Sequence, residues 1–176
     1  MNEIVAACES MAGLPDDGEP VDQLQHALQC AALARPRGDR EFVVAALLHD
    51  IARAPAVAGI AYDGPREHHG QAAARWLAPR VGDRVAWLAE RHVAAKRYLV
   101  ATDSAYEARL TDVSARTLKG QGGPMTPDEV AAFRAHPDWR LALELREIDD
   151  HGKVPGARVP GLDDYPGDLE AVVVRR

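Results

Sequence analysis

Apolar residues recur at three- and four-residue intervals along most of this chain, the period of helices that pack by one face. Residues 2 to 13 make a modest amphipathic helix ended by Gly13 and Pro15. A polar loop from Pro15 to Pro20 leads into helix 21–35, where Leu24, Ala27, Leu28, Ala31 and Ala32 form an apolar stripe with His26 beside it. Pro36 and Gly38 stop that helix, and Asp39 suits the N-cap of the next, 40–53. Ala54 to Pro65, rich in Gly and Pro, reads as loop. Helix 66–79 carries His68 and His69. Gly82-Asp83 opens another, with Val85, Leu88, Ala89 and His92 on one side and Lys96 a turn beyond. Capping-box spacings at Ser104–Glu107 and Thr126–Glu129 predict helices over 105–118 and 127–135, separated by the glycine-rich stretch Lys119 to Pro124. A last strong helix, 138–150, carries Leu141, Leu145, Arg146 and Asp149. After Gly152 the Pro- and Gly-rich chain is expected to wrap the surface as an extended tail, 152–176. No repeat or alternating strand interrupts the pattern, which predicts one all-α domain, a helical bundle spanning 1–176.

Within that pattern one stretch stands apart, Ala45-Ala46-Leu47-Leu48-His49-Asp50. Four small or aliphatic residues read as a buried face, and two metal-capable side chains close it. A buried aspartate needs a partner, because an unpaired charge away from water is costly. Neighbours on a helix point about 100° apart, so both reach one site only if it is broad, as with two metal ions.

Composition narrows the class. The chain has 176 residues, 47% hydrophobic and 27% charged, enough to bury a core without staples. Its net charge of −6 argues against a general nucleic-acid binder while leaving room for a local basic pocket. The two cysteines, Cys8 and Cys30, show no zinc-finger spacing and fit a reducing compartment. Glu3 and Glu9 stand where a signal peptide needs basic residues, and no apolar run has the length of a membrane span. The expectation is a cytoplasmic protein with no membrane or nucleic-acid partner.

His26, His49, Asp50, His69, His92 and Asp149 each fall on or beside the apolar face of a predicted helix. One such histidine is ordinarily a core residue bonded to a backbone carbonyl. Six ligand-type residues on five helices point instead to a bundle core holding nitrogen and oxygen ligands, which suits iron, manganese or zinc and not a thiolate site.

The order His…His-Asp…His…His…Asp resembles the HD-domain superfamily, and within it the PhnZ-like mixed-valent diiron oxygenases associated with phosphonate degradation. The resemblance runs from about Gly18 to Tyr165. Its specific stretches are Gly-Glu-Pro-Val with His26-Ala-Leu-Gln, His92-Val-Ala-Ala-Lys96-Arg-Tyr-Leu, Gln121-Gly-Gly-Pro-Met, and Leu145-Arg146 with Asp149-Asp150. It implies a fold with a dinuclear site in its core. His26, His49, Asp50 and Asp149 would hold one iron and His69 and His92 the other, with Asp50 spanning a gap of roughly 3.5–4 Å. His69 is preferred to His68 because it precedes Ala73 by four residues, where the family has a small residue closing a helix contact. His68 is then an exposed neighbour, and His136 and His151 are surface residues.

A second set bears on substrate. Lys96 follows His92 by four residues and Arg146 precedes Asp149 by three, so each shares a helix face with a proposed ligand. The plain alternatives are a surface lysine and an intrahelical ion pair. With Ser114, Thr117 and Gln121 the two cations make a pocket for a tetrahedral dianion, a planar fork beside a point charge. The resemblance places a phosphonate on Lys96, Ser114 and Arg146. It places Glu19 at the substrate's amino group, and gives catalytic roles to Asp50 and Lys96. Two positions depart from the family: Arg53 stands where many relatives have a substrate-touching histidine, and Asp16 where they have a lid tyrosine.

The expected activity is an O2-dependent oxygenase with a ferrous–ferric pair. It would cleave the C–P bond of a 1-hydroxy-2-aminoethylphosphonate-type compound to phosphate and glycine or an N-methylated analogue. The alternative is a metal-dependent phosphohydrolase acting on a phosphate ester or nucleotide, the commoner trade of the superfamily. The two histidines beyond the minimal superfamily set and the Lys96/Ser114/Arg146 grouping weigh against it. A third reading, a non-catalytic sensor, would be signalled by loss of a ligand such as His92.

Overall fold

In the computed structural model, which describes residues 1–16, 18–58 and 69–174, side-chain caps decide where several helices begin. α1 (Asn2–Glu9) is uncapped by a side chain, whereas Asp22 opens α2 (Gln23–Ala34) by accepting from Gln25 N at 2.8 Å. Asp39 does the same for α3 (Arg40–Leu48), accepting from Phe42 N at 3.1 Å. A short α4 (Pro55–Ala58), then α5 (His69–Val81) and the long α6 (Asp83–Thr102) follow. Thr111 caps α7 (Asp112–Gly120), and Thr126 and Glu129 form a reciprocal capping box on α8 (Pro127–Arg134). α9 (Trp139–His151) and α10 (Pro166–Val172) complete an all-α fold, with no extended strand among the described residues.

The centre is α3, because it is apolar all round: every residue from Phe42 to Leu48 is buried. α2, α6, α9 and α10 pack around it, so its C-terminal end is enclosed on several sides. α5 lies along α6 in the broadest helix contact of the fold. Gly70 permits that approach, since a Cβ there would stand 2.9 Å from Glu90 O. No helix among the described residues is long and apolar enough to cross a membrane.

Several expectations need correction, among them the loop expected from Ala54, which holds the short α4. The helix expected over 40–53 stops at Leu48, and after Asp50 (φ −102°, ψ 15°) the chain makes a 3₁₀ turn, Ile51–Arg53. The helix expected over 105–118 does not use its Ser104–Glu107 spacing. Asp103 Oδ1 takes Ala105 N at 2.9 Å instead, a 3₁₀ turn covers Glu107–Arg109, and Thr111 restarts the helix. The tail is not extended throughout. Tyr165 and Leu169 are buried and seat α10 against α3, an anchor that a seven-residue helix is too short to advertise by periodicity. The first helix ends at Glu9, short of Gly13. His136 is half-buried, its ring stacked on Trp87 with centroids 3.5 Å apart, while His151 is exposed as expected. His68 and most of the expected loop 54–65 lie outside the described residues.

Candidate metal centre and anion pocket

Five elements bring the six ligand-type residues together in the core. His26 comes from α2, His49 and Asp50 from the end of α3, His69 from the start of α5, His92 from α6 and Asp149 from α9. All are buried, from 0% exposed at His49 to 7% at Asp50. The rings run in a chain, with centroids 5.1 Å apart for His26–His49, 5.0 Å for His49–His92 and 5.0 Å for His69–His92.

Backbone carbonyls set the tautomers. Carbonyls only accept, so Nδ1 donates in three rings: His26 to Gly152 O at 2.9 Å, His49 to Ala46 O at 2.8 Å, and His92 to Ala89 O at 2.5 Å. His49 and His92, both held below the usual imidazole value, then present a bare Nε2 to the core. His26 Nε2 and His49 Nε2 face each other at 3.2 Å, and His69 Nε2 and His92 Nε2 at 2.9 Å. The bare Nε2 of His49 and of His92 thus each faces a second ring nitrogen, a spacing that a shared proton or a cation satisfies. Two nitrogens bound at about 2.1 Å and at right angles around one ion would be about 3 Å apart, the spacing both pairs have.

Asp50 serves both pairs. Its Oδ1 lies 3.1 Å from His69 Nε2 and 3.6 Å from His92 Nε2, and its Oδ2 turns towards His49 Nε2 at 4.0 Å. Arg53 Nε stands 3.1 Å from Oδ2. Burial raises the Asp50 pKa, but Arg53, His49 and His69 outweigh it and hold the carboxyl well below its usual range. Asp149 divides likewise, Oδ1 lying 3.3 Å from His26 Nε2 and Oδ2 accepting from Arg146 at 2.6 Å. Burial opposes its charge too, and Arg146 and Lys153 keep it ionised.

The two histidine pairs differ in proton demand. Burial, then His69, push His92 well below the usual imidazole value, so the His92 ring stays neutral. At His26 burial works against the charged ring, yet Cys30 and Asp149 push its pKa well up. A proton shared with Asp149 thus stands in the metal-free protein where a cation would. Cys30 Sγ lies 3.8 Å from His26 Nδ1 and 3.9 Å from Nε2, nearly equidistant, and so off the lone-pair direction. Burial raises its thiol pKa, which leaves the nitrogen–oxygen set as the ligand-type donors. These residues fit a metal centre: Asp50, His69 and His92 form one group of converging donor atoms, and His26 and His49 form another in which Cys30 Sγ also lies within reach.

A small pocket opens beside the centre, and every residue expected at substrate lines it. Lys96 is 2% exposed and donates to Thr117 Oγ1 at 2.9 Å and Ser114 O at 3.3 Å. Burial and Arg146 lower its pKa to about 7. Arg146 is more heavily engaged, donating to Asp149, to Tyr106 Oη at 2.9 Å, to Ser114 Oγ at 3.4 Å and to Asp150. Gln121 Oε1 is buried without a hydrogen-bond partner among the described residues. Glu19 accepts from Thr111 Oγ1 at 2.7 Å and lies 3.6 Å from Lys153 Nζ.

Three contributors went unassigned from sequence. Lys153 lines the pocket 3.5 Å from Asp149 Oδ1, at the same four-residue spacing that singles out Lys96. Asp150 and Tyr106 hold Arg146 from behind. Nothing in the sequence marks Tyr106, which follows the long α6 in a loop.

A helical core that gathers four histidines and two aspartates beside a cationic pocket defines a metal-dependent enzyme of the bundle-core type. No family profile matches the chain. It is 38% identical over 146 residues to [1-hydroxy-2-(trimethylamino)ethyl]phosphonate dioxygenase (glycine-betaine-forming) of Leisingera caerulea, covering 81% of this chain and 74% of that one. Against hydroxymethylphosphonate dioxygenase of Gimesia maris it is 37% identical over 163 residues, 87% of this chain and 78% of that one. An uncharacterized protein of Acanthamoeba polyphaga mimivirus is 31% identical over 173 residues, 94% and 78% of the two chains. The chain belongs to the PhnZ-like phosphonate dioxygenases, and is an oxygenase that uses a metal and dioxygen.

Proposed function

We propose that this oxygenase carries two irons, Fe(II) and Fe(III), and cleaves the C–P bond of a 1-hydroxy-2-aminoethylphosphonate-type compound. The products are phosphate and glycine or an N-methylated analogue. One dioxygen balances the reaction, C1 gaining one oxygen as it becomes a carboxylate and phosphorus gaining the other. The observation that carries the reading is the pair of facing Nε2 contacts, at 3.2 Å and 2.9 Å, with Asp50 reaching both.

His26, His49 and Asp149 would hold one iron, and His69 and His92 the other, with Asp50, which faces both groups, shared between them. When bound, such a pair supplies the one-electron chemistry with dioxygen that removes hydrogen from C1. The chain's own part is placement and charge. Lys96 and Arg146, with Ser114, Thr117 and Gln121, receive the phosphonate oxygens and offset their charge as the C–P bond parts. Asp50 fixes the distance between the two halves of the site, and Glu19 closes the pocket towards the substrate's amine end.

The phosphohydrolase reading is not favoured, because both relatives with a stated activity are dioxygenases. The sensor reading lacks its signature, since His92 is present and buried in the site. Metal analysis with Mössbauer and EPR spectroscopy tests the proposal on anaerobic, partly reduced protein. Two irons per chain, a coupled ferrous–ferric signal altered by a hydroxyphosphonate, and O2-dependent phosphate release are expected. Two redox-inert metals with activity on phosphate esters alone would overturn it.

A further inference from the structure

A carboxylate oxygen in the pocket wall is left open by the protein itself. Asp16, between α1 and α2, is 5% exposed and lines the pocket. Its Oδ1 accepts from Gln23 Nε2 at 2.7 Å, which fixes the carboxylate plane. Its Oδ2 is buried and has no hydrogen-bond partner among the described residues. A buried carboxylate oxygen without a donor is costly, so its persistence at a pocket wall calls for a ligand that brings one. Glu19 differs in that one of its oxygens, Oε1, already accepts from Thr111 and faces Lys153.

Asp16 lines the same pocket as Lys96 and Arg146. An anionic head held by the two cations leaves Asp16 Oδ2 as an open acceptor for another part of the same bound molecule. No Phe, Tyr or Trp lines the pocket among the described residues, whereas a quaternary ammonium is suited by an aromatic cage.

We propose that Asp16 Oδ2 accepts a hydrogen bond from the substrate's ammonium group and so selects amines that carry an N–H over a trimethylammonium. This rests on the phosphonate reading above. A trimethylammonium carries the same charge but presents only methyl groups, leaving Oδ2 without a donor. The selectivity thus departs from the trimethylamino compound named for the Leisingera caerulea relative.

The test is calorimetric titration of the iron-loaded protein under argon with three ligands. They are 1-hydroxy-2-aminoethylphosphonate, its N-trimethyl analogue, and hydroxymethylphosphonate, which has no amine. Wild type should bind the primary amine at least about ten-fold tighter than the trimethyl compound. Asp16→Asn and Asp16→Ala should each erase that margin while hydroxymethylphosphonate affinity and iron content hold. Equal wild-type affinity for the two amines overturns the assignment. So does a uniform loss for all three ligands, or a fall in iron content, either of which makes Asp16 part of the metal site. Phosphate release in oxygen is scored separately. Amine-selective binding without phosphate release defeats the oxygenase reading and sustains Asp16, whereas no binding of any phosphonate defeats both.

Discussion

His69 and His92 meet nitrogen to nitrogen at 2.9 Å, and Asp50 Oδ1 closes the triangle at 3.1 Å and 3.6 Å. The same carboxylate turns its other oxygen to His49, so one side chain joins two donor groups. Asp50→Asn removes the charge and puts an N–H where an acceptor is needed. Metal content by mass spectrometry should fall by about half or more, with loss of O2-dependent turnover. Full metal content in the variant would remove the bridging role.

Arg146 reaches Asp149 Oδ2 at 2.6 Å and thereby aims Asp149 Oδ1 at His26. On the proposed reading it is a substrate cation and a ligand support at once, whereas Lys96 donates to Thr117 and Ser114 among the described residues. Arg146→Ala should therefore cost metal as well as substrate affinity. Lys96→Ala should raise KM sharply at unchanged metal content. Equal metal content in both variants would show that Arg146 does not position Asp149.

Lys96 also makes a signed prediction in pH. Its pKa falls from 10.5 to about 7 on folding, chiefly by burial and then by Arg146. Between those values the unfolded chain binds the extra proton, so the stability cost is full below pH 7 and fades as pH rises towards 10.5. Lys96→Met should therefore stabilise the metal-free protein at pH 7, and the gain in urea denaturation should shrink by pH 10. A gain that does not change with pH would trace to packing alone.

Gly152 is held by contact rather than by backbone angle. A Cβ there would meet Cys30 Sγ at 2.5 Å and His26 Nδ1 at 3.3 Å, beside the carbonyl that fixes the His26 tautomer. Gly152→Ala should lower stability by about 1–3 kcal/mol and weaken metal binding at His26. Adding Cys30→Ala should recover much of the stability, which thermal melts of single and double variants will show.

The convergence of His26, His49, Asp50, His69, His92 and Asp149 was legible because each combines an apolar surrounding with a polar side chain on or beside a helix, and helical spacing then puts Lys96 beside His92. Lys153 was equally legible by the rule applied to Lys96, its four-residue distance from Asp149. Tyr106 was not, since a loop has no period to place its hydroxyl against Arg146 from 40 residues away. The Cys30–Gly152 contact joins residues far apart in sequence, and no local pattern encodes such a fit. α10 escaped for the opposite reason, being too short and too rich in Pro and Gly to show a stripe.

The break after Leu48 has a consequence for anyone transplanting this chemistry. On an uninterrupted helix His49 and Asp50 would diverge by about 100°. Here the helix has ended, His49 turns its ring back onto Ala46 O, and Asp50 leaves along a new direction into the same site. The portable unit is thus a helix terminus with two ligands, not a dipeptide. A designer who copied only the two letters into a longer helix would build half a centre.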